Sequence, residues 1–194
     1  MRVLCLLGSP RRGGNSETLA RWVAEPLAAA GAEAAFVRLN DLAARGCQAC
    51  MACKTTREAC ALDDDLTPVL EQVRACDVLV LATPVYYGDV TAQMKLFIDR
   101  TFSFLVPGYG RAEQKTRLPR GKRCAMVVAQ GHPREDLFAD IPRRYGYFFE
   151  RYLGFESFRL LRACGIYDRG DAAARDDLRR EAEALAADLR TTPT

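Results

Sequence analysis

Nine residues close to the N-terminus, at positions 8–16, have the composition of an anion-binding loop. They read Gly-Ser-Pro-Arg-Arg-Gly-Gly-Asn-Ser and join an apolar run to a helical pattern. The N–H groups and the dipole at the start of a helix favour an anion, and paired glycines let the chain curl around it. The side chains that can donate to the anion are Ser9, Arg11, Arg12, Asn15 and Ser16. The loop therefore predicts a phosphate-type site, in preference to a capped helix with a solvated basic turn.

The same region contains a spacing that suggests a different chemistry. Cys5 and Arg11 are separated by five residues, as in a tyrosine phosphatase, whereas the loop matches neither a nucleotide P-loop nor Gly-x-Gly-x-x-Gly. A phosphatase cysteine has to open the phosphate loop as a thiolate. Because Leu6 and Leu7 continue the apolar run past Cys5, we interpret Cys5 as a core residue and the phosphatase as the weaker hypothesis.

A second candidate segment follows the strongest apolar run of the chain. It consists of Pro84, Val85, Tyr86, Tyr87 and Gly88. Proline ends strand pairing, and two adjacent tyrosines offer flat faces with polar tips that suit a planar ring or a subunit interface. The alternative is ordinary loop aromatics. With the first loop, this segment supplies a phosphate site at one end and an aromatic surface at the other.

Four closely spaced cysteines form the third candidate. Cys47, Cys50, Cys53 and Cys60 have the spacing Cys-x2-Cys-x2-Cys-x6-Cys. Thiolates in such a run can wrap a [4Fe–4S] cluster. Zinc is an alternative, although structural zinc sites more often use two separated pairs, and free thiols or a disulfide are another. The spacing leaves these possibilities open.

The only histidine, His132, follows a predicted strand in the sequence Gln130-Gly131-His132-Pro133. Its position would suit proton delivery to a bound cofactor or substrate, and a loop histidine without a chemical role is the alternative. Gln130 and Gly131 are placed near the same ligand by their position alone.

Alternating strand and helix patterns position these candidates. Apolar runs predict strands at residues 3–7, 34–39, 77–82, 122–129 and 158–163, and helical periodicity predicts helices at 16–30, 64–75, 90–102, 141–152 and 172–189. The run at 77–82 is continuous and β-branched, as in a parallel strand buried on both faces. Repeated β–α units predict a doubly wound α/β domain, in which ligands bind at the carboxyl ends of the strands.

Bulk composition limits the classes of function. The chain has 194 residues, of which 49% are apolar, and a net charge of +3, which predicts one domain over residues 1–194 with a cysteine-rich loop at about 44–63. The small charge does not indicate nucleic acid or a membrane surface as a partner. No apolar run has the length of a membrane span, and the N-terminal one is too short for a signal peptide. We therefore expect a cytoplasmic protein, and its eight cysteines favour metal or redox chemistry over disulfides.

The two loops and the helix after them resemble a known family. Gly8-Ser9-Pro10-Arg11 and Asn15-Ser16, paired with residues 84–88 and followed by Gln93-Met94-Lys95 and Phe97-Ile98-Asp99-Arg100, are similar to the NAD(P)H-dependent FMN reductase group. The similarity is strongest to its iron–sulfur flavoprotein branch, and it is specific over residues 1–102. It implies a flavodoxin-like fold, with a five-stranded parallel sheet of order 2-1-3-4-5 and helices on both faces.

The resemblance also implies roles for the candidate residues. The residues implied to hold the FMN phosphate are Ser9, Arg11, Asn15 and Ser16, and Arg12 and Thr18 are further candidate ligands of the cofactor in the same segment. The isoalloxazine ring would lie along residues 84–88, with Gln130 and Gly131 nearby. The four cysteines would hold a [4Fe–4S] cluster, since that branch has a similar cysteine run before an Asp-Asp pair, here Asp63-Asp64. Family members commonly form homodimers or homotetramers, and Tyr86, Tyr87 and residues 102–104 are the candidate contacts.

The resulting prediction is an FMN-dependent oxidoreductase that passes electrons from NAD(P)H to a small acceptor. The alternative is an iron–sulfur flavoprotein that carries electrons between protein partners.

Overall fold

Five parallel strands form one sheet in the computed structural model, which describes residues 1–191. The strands are β1 (Arg2–Leu7), β2 (Glu33–Arg38), β3 (Val78–Pro84), β4 (Arg123–Gln130) and β5 (Ser157–Cys164). Their order is β2-β1-β3-β4-β5, and every neighbouring pair is parallel. The predicted doubly wound fold and its flavodoxin-like strand order are confirmed.

Helices connect the strands and cover both faces of the sheet. They are α1 (Asn15–Ala29), α2 (Ala52–Thr55), α3 (Leu66–Ala75), α4 (Ala92–Arg100), α5 (Asp140–Arg151) and α6 (Asp176–Arg190). Within residues 1–191, none of them combines the length and apolar character needed to cross a membrane.

The sheet divides the core into two layers. Successive residues of a strand point to opposite faces, so Leu4 and Leu6 of β1 pack in the layer of α3, α4 and α5, whereas Val3 and Leu7 pack against α1 and α6. Strand β3 lies between β1 and β4 and buries its first six residues. Burial on both faces explains why its apolar run is continuous rather than alternating.

Two boundaries differ from the prediction in ways that affect the candidate residues. Helix α4 ends at Arg100, and the 3₁₀ turn that follows (Thr101–Phe104) turns Ser103 and Phe104 into the core. The expectation that residues 102–104 contact another subunit is therefore wrong for Ser103 and Phe104. Phe102 is partly exposed. Helix α3 begins at Leu66, two residues after the predicted start, and the Asp64 carboxylate accepts the Leu66 N–H (3.1 Å).

Candidate functional site

A cleft of about 1020 Å³ lies at the carboxyl ends of the strands, where the doubly wound fold places ligands. Four loops form its walls: those after β1, β3, β4 and β5. Predicted site residues that line it are Ser9, Arg11, Asn15, Ser16, Pro84, Val85, Tyr86, Tyr87, Gly88, Gln130, Gly131 and His132. Residues from the first, third and fourth strand loops are thus brought together in one cavity, of a size suited to a cofactor.

The N-terminus of α1 forms one end of the cleft. The first intrahelical hydrogen bond runs from the Thr18 N–H to the Gly14 carbonyl (3.0 Å), so the N–H groups of the residues between them precede the helical ladder. The Ser9 hydroxyl accepts the N–H of Arg11 (3.1 Å) and is buried beside this turn. A Cβ on Gly14 would lie 3.3 Å from the Arg11 carbonyl oxygen, so the close turn favours glycine there. The arrangement is that of an anion site at a helix N-terminus.

Glu17 braces this loop from the first turn of α1. Its carboxylate accepts the Gly13 N–H (2.9 Å) and forms ion pairs with Arg21 (2.9 Å) and Arg38. Burial alone would raise the pKa of Glu17, but the hydrogen bonds from Gly13, Arg21 and Arg38 outweigh it and lower that pKa below its usual value. The carboxylate is thus neutralised by two arginines, so its negative charge is compensated beside the anion site.

Three predicted phosphate ligands use their side chains elsewhere. The Asn15 amide donates to the Asp168 carbonyl (2.9 Å) and accepts the Ala172 N–H (3.2 Å), which ties the loop after β5 to α1. Arg12 points away from the cleft and pairs with Asp41 at 2.7 Å. The Thr18 hydroxyl donates to the Gly14 carbonyl within the helix (3.4 Å). Only the backbone of Asn15 is available to an anion, and Arg12 and Thr18 do not line the cleft.

Two arginines face the anion end of the cleft. Arg11 reaches across it, and its guanidinium donates to the Tyr167 carbonyl (3.4 Å). Arg169 comes from the loop after β5 and lies over the glycine turn, with Nη2 3.0 Å from the position of a Cβ on Gly13. Sequence analysis missed Arg169. The residue follows the carboxyl end of a parallel strand, where ligands bind, but no local motif marks it.

A tight turn at Tyr86–Asp89 forms the opposite end of the cleft. The Tyr86 and Asp89 backbones exchange hydrogen bonds of 2.9 and 3.1 Å, and Tyr87 (φ 52°) and Gly88 (φ 77°) between them both have left-handed backbones. Left-handed φ is unfavourable for tyrosine, yet the Tyr87 side chain is fully exposed and packs on nothing that would compensate. Strain of this kind concentrates at functional sites. Gly88 packs under Phe138, whose ring would lie 3.2 Å from a Cβ there.

The loop after β4 closes the side of the cleft. The Gln130 amide is buried, donates to the carbonyls of His132 (2.7 Å) and Arg134 (2.8 Å), and accepts from Arg162 (2.6 Å). Gln130 therefore shapes the loop rather than offering its amide to a ligand. The His132 Nδ1 accepts the Arg134 N–H (3.1 Å), so the proton of a neutral ring lies on Nε2. Gly131 packs against Tyr167, whose ring would lie 2.8 Å from a Cβ at that position.

The four cysteines of the cysteine loop line a separate, small pocket. Cys47, Cys50, Cys53 and Cys60 share it with Arg100 and Phe102, and its volume is about 20 Å³. The loop bends sharply between the first three cysteines, where Ala49 (φ 50°) and Met51 (φ 59°) have left-handed backbones. Within residues 1–191, no three of these or other His, Cys, Asp or Glu side chains converge as metal ligands. The four cysteines share this pocket, and their role as ligands of a metal stays a prediction.

Cys5 is an inert core residue, as interpreted from the sequence. It lies in the middle of β1 and is fully buried, and burial raises the pKa of its thiol to about 12. A thiol so protonated, and facing the layer of α1 and α6, cannot serve as a phosphatase nucleophile.

Residues 1–140 match the family described as NADPH-dependent FMN reductase. Similar proteins include an iron–sulfur flavoprotein of Methanocaldococcus jannaschii, 36% identical over 101 residues, and one of Methanosarcina thermophila, 35% identical over 101 residues. Each of these alignments covers 52% of this chain and 52% of the relative. The chain thus spans about half the length of these relatives.

A solved structure matches the chain over its whole length. The NAD(P)H:quinone oxidoreductase from Methanothermobacter marburgensis has a TM-score of 0.77 and 21% sequence identity, covering 100% of this chain and 99% of that chain. At this identity the likeness shows a shared fold.

Proposed function

Because the chain belongs to the NADPH-dependent FMN reductase family, we propose that it binds FMN in the cleft and passes electrons from NAD(P)H to a small acceptor. One observation carries this proposal: a single cleft joins the N-terminus of α1 to the turn at Tyr86–Asp89. A phosphate fits the first end and a planar ring fits the second. The size of the cleft is also that of a cofactor site.

The phosphate end supplies donors in an arrangement that suits FMN. The N–H groups at the start of α1 and the hydroxyls of Ser9 and Ser16 would bind phosphate oxygens, because the helix terminus presents unpaired donors. Arg11 and Arg169 would add charge-assisted hydrogen bonds from either side. Asn15 contributes its N–H, and its side chain holds the loop that carries Arg169 in place.

The ring end supplies flat, mostly apolar walls. Pro84, Val85 and the tight turn after them would lie along the isoalloxazine, and Gly131 lines the side of the cleft, where it packs against Tyr167. Bound FMN would supply the electron-transfer chemistry, and the chain binds, orients and electrostatically tunes it. His132 lines the same cleft. Its Nδ1 accepts the Arg134 N–H, which leaves Nε2 to carry the proton, so we propose His132 as a proton donor near the ring.

The second candidate function is an iron–sulfur flavoprotein that carries electrons between protein partners. The four cysteines that line one pocket favour it, as do the names of the two iron–sulfur flavoproteins to which the chain is similar. Cys47, Cys50, Cys53 and Cys60 would hold a [4Fe–4S] cluster, and two of them, Cys47 and Cys50, are exposed. Zinc is the other metal that four thiolates accept.

The proposal also includes a homo-oligomeric assembly and a cytoplasmic location. A homodimer or homotetramer would cover the exposed Tyr86 and Tyr87 at the open end of the cleft. All eight cysteines lie in the described part of the chain as free thiols, which fits a reducing compartment such as the cytoplasm.

Acceptor assays on the FMN-loaded protein distinguish the two candidate functions. If the chain is a reductase, it oxidises NADPH or NADH steadily when a soluble quinone is the only acceptor, and the rate depends on bound FMN. The quinone is chosen because the matched structure from Methanothermobacter marburgensis is named for that activity. Turnover with a small iron–sulfur or cytochrome protein, and none with quinone, would favour the electron carrier instead.

A further inference from the structure

Two cations fasten the cysteine loop to the end of α4. The guanidinium of Arg100 donates to the Arg45 carbonyl (2.8 Å), which precedes the first cysteine, and to both oxygens of Asp64 (2.8 and 3.2 Å), which follows the last one. Asp64 also accepts the Arg45 N–H (3.1 Å). Arg100 and Asp64 therefore clasp the two ends of the loop together.

Lys54 holds the middle of the loop. Its ammonium donates to the carbonyls of Phe102 (2.7 Å) and Leu105 (2.8 Å), lies 4.1 Å from the centre of the Phe102 ring, and donates to the Cys53 sulfur (3.3 Å). Within the described part of the chain, no carboxylate pairs with this ammonium. Its positive charge is therefore not neutralised by a carboxylate, and it lies next to the Cys53 sulfur.

Arg100 also has a hydrogen-bond donor without a partner. Its side chain is fully buried and lines the cysteine pocket, and its Nε–H donates to no acceptor among the described residues. An unsatisfied buried donor is destabilising, so it requires an explanation. Because Asp64 and backbone carbonyls already satisfy the terminal nitrogens, the remaining N–H is free for an acceptor in the pocket.

We propose that Arg100 and Lys54 are positioning residues for an anionic, thiolate-ligated group in this pocket, and that they raise its reduction potential. The inference rests on the proposed [4Fe–4S] cluster. Hydrogen bonds to the sulfurs and the net charge nearby are two of the factors that set the potential of such a cluster. Asp64 offsets the charge of Arg100, so Arg100 contributes the clasp and an N–H donor, whereas Lys54 contributes net positive charge.

The test compares cluster potentials in matched variants. Wild type, Lys54→Gln and the control Arg179→Gln are reconstituted anaerobically with iron and sulfide, and each is titrated reductively with mediators while the cluster spectrum is followed. Both variants lose one positive charge, but Arg179 lies on exposed α6 in the opposite layer of the sheet. We expect Lys54→Gln to shift the reduced-to-oxidised ratio about tenfold towards oxidised cluster, about 59 mV for a one-electron couple. Arg179→Gln should match wild type.

A second variant separates the role of Arg100 from folding. Arg100→Lys keeps the charge but removes the Nε–H and the bidentate pair, so the chain should retain its FMN site and lose iron to a chelator several-fold faster than wild type. Far-ultraviolet circular dichroism and FMN content report whether the rest of the chain is folded.

The outcomes distinguish the proposed cluster from the proposed effect of Lys54 on its potential. Wild-type protein that incorporates no iron would overturn the proposed cluster and this inference together. Wild-type protein that incorporates iron, with a potential unchanged in Lys54→Gln, would overturn the inference alone.

Discussion

The hydroxyl of Thr91 donates to the carbonyl oxygen of Gly8 at 2.8 Å and accepts the N–H of Met94 at 3.3 Å. One side chain thus caps α4 and fixes the start of the anion-binding loop. The same contact leaves no room beside Gly8, because a Cβ there would lie 2.9 Å from the Thr91 hydroxyl and 3.0 Å from the Met94 Cβ. The first two candidate loops are thereby held in one rigid unit.

Gly8→Ala should destabilise the fold, since the added methyl group displaces the buried Thr91 cap. We expect a loss of about 1–3 kcal/mol, which lowers the Tm by roughly 2–12 °C for a chain of this size. Differential scanning calorimetry measures it. Gly110→Ala is the matched control, because a Cβ at Gly110 would meet nothing within 4 Å. Equal Tm values for the two variants would refute the steric argument.

Arg11 and Arg169 should contribute to FMN affinity through the phosphate alone. Replacing either by alanine removes charge-assisted hydrogen bonds worth about 1.5–3 kcal/mol, so the Kd for FMN should rise roughly 10- to 100-fold. Quenching of flavin fluorescence on titration into apoprotein gives the Kd. Riboflavin, which lacks the phosphate, should bind these variants as it binds wild type.

The neighbouring Arg12 provides the control for that series. It pairs with Asp41 outside the cleft, so Arg12→Ala should change the Kd for FMN less than threefold, about 0.7 kcal/mol. An effect of Arg12→Ala as large as that of Arg11→Ala would contradict the assignment of the phosphate to the cleft side of the loop.

Glu17 should stabilise the protein in a pH-dependent way. Its pKa is lowered in the folded state, so its stabilising contribution is present above the ordinary value of 4.5 and is lost as the pH falls through the lower folded pKa. Glu17→Gln should therefore cost about 1–3 kcal/mol at pH 7 and much less at a pH below the lowered folded pKa. Urea unfolding at both pH values measures this difference.

The surface residue Glu25, on the same helix, is the control for Glu17. Among residues 1–191 it forms one ion pair, a long one to Arg179 (3.7 Å), and both side chains are exposed, so Glu25→Gln should change stability little at either pH. A Glu17→Gln penalty that is equally large at acid and neutral pH would show that lost packing, rather than ionisation, is responsible.

The left-handed backbone at Tyr87 should lower the stability of the protein, while the Tyr87 side chain supports turnover. Tyr87→Asn suits the left-handed backbone better, so the free energy of unfolding should stay the same or rise by up to about 1 kcal/mol. If the exposed ring contacts the nicotinamide or a second subunit, NAD(P)H-dependent turnover should fall. Tyr147→Asn, on the exposed face of α5, serves as the control for turnover. A destabilised Tyr87→Asn protein with full turnover would contradict this interpretation.

The fold was predictable because the strand patterns are local. The continuous apolar composition of residues 77–82 is enough to predict a strand that is buried on both faces. Glycine and serine residues indicate the loop after β1. The residues that sequence analysis missed, Arg169 and Phe138, come from loops without a motif. They reach the cleft only because parallel strands deliver their carboxyl ends to one edge.

Side-chain roles were less predictable than positions. Asn15 and Gln130 lie at the cleft as expected, but their amides hold backbone in place rather than facing the ligand. Arg11 and Arg12 are equivalent in the sequence, and only the position of Asp41, fixed by the turn after β2, separates them. Such distinctions depend on long-range contacts that no local pattern encodes.

Anaerobic reduction of the FMN-loaded protein by NADPH or NADH tests the central claim most directly. Rapid mixing, followed at the flavin absorbance band, should show bleaching that goes to completion with at least one of the two nucleotides. Addition of quinone should then restore the yellow colour. Protein that retains one FMN per chain and is bleached by dithionite, but by neither nucleotide, would contradict the claim that this cleft supports a nicotinamide-dependent oxidoreductase.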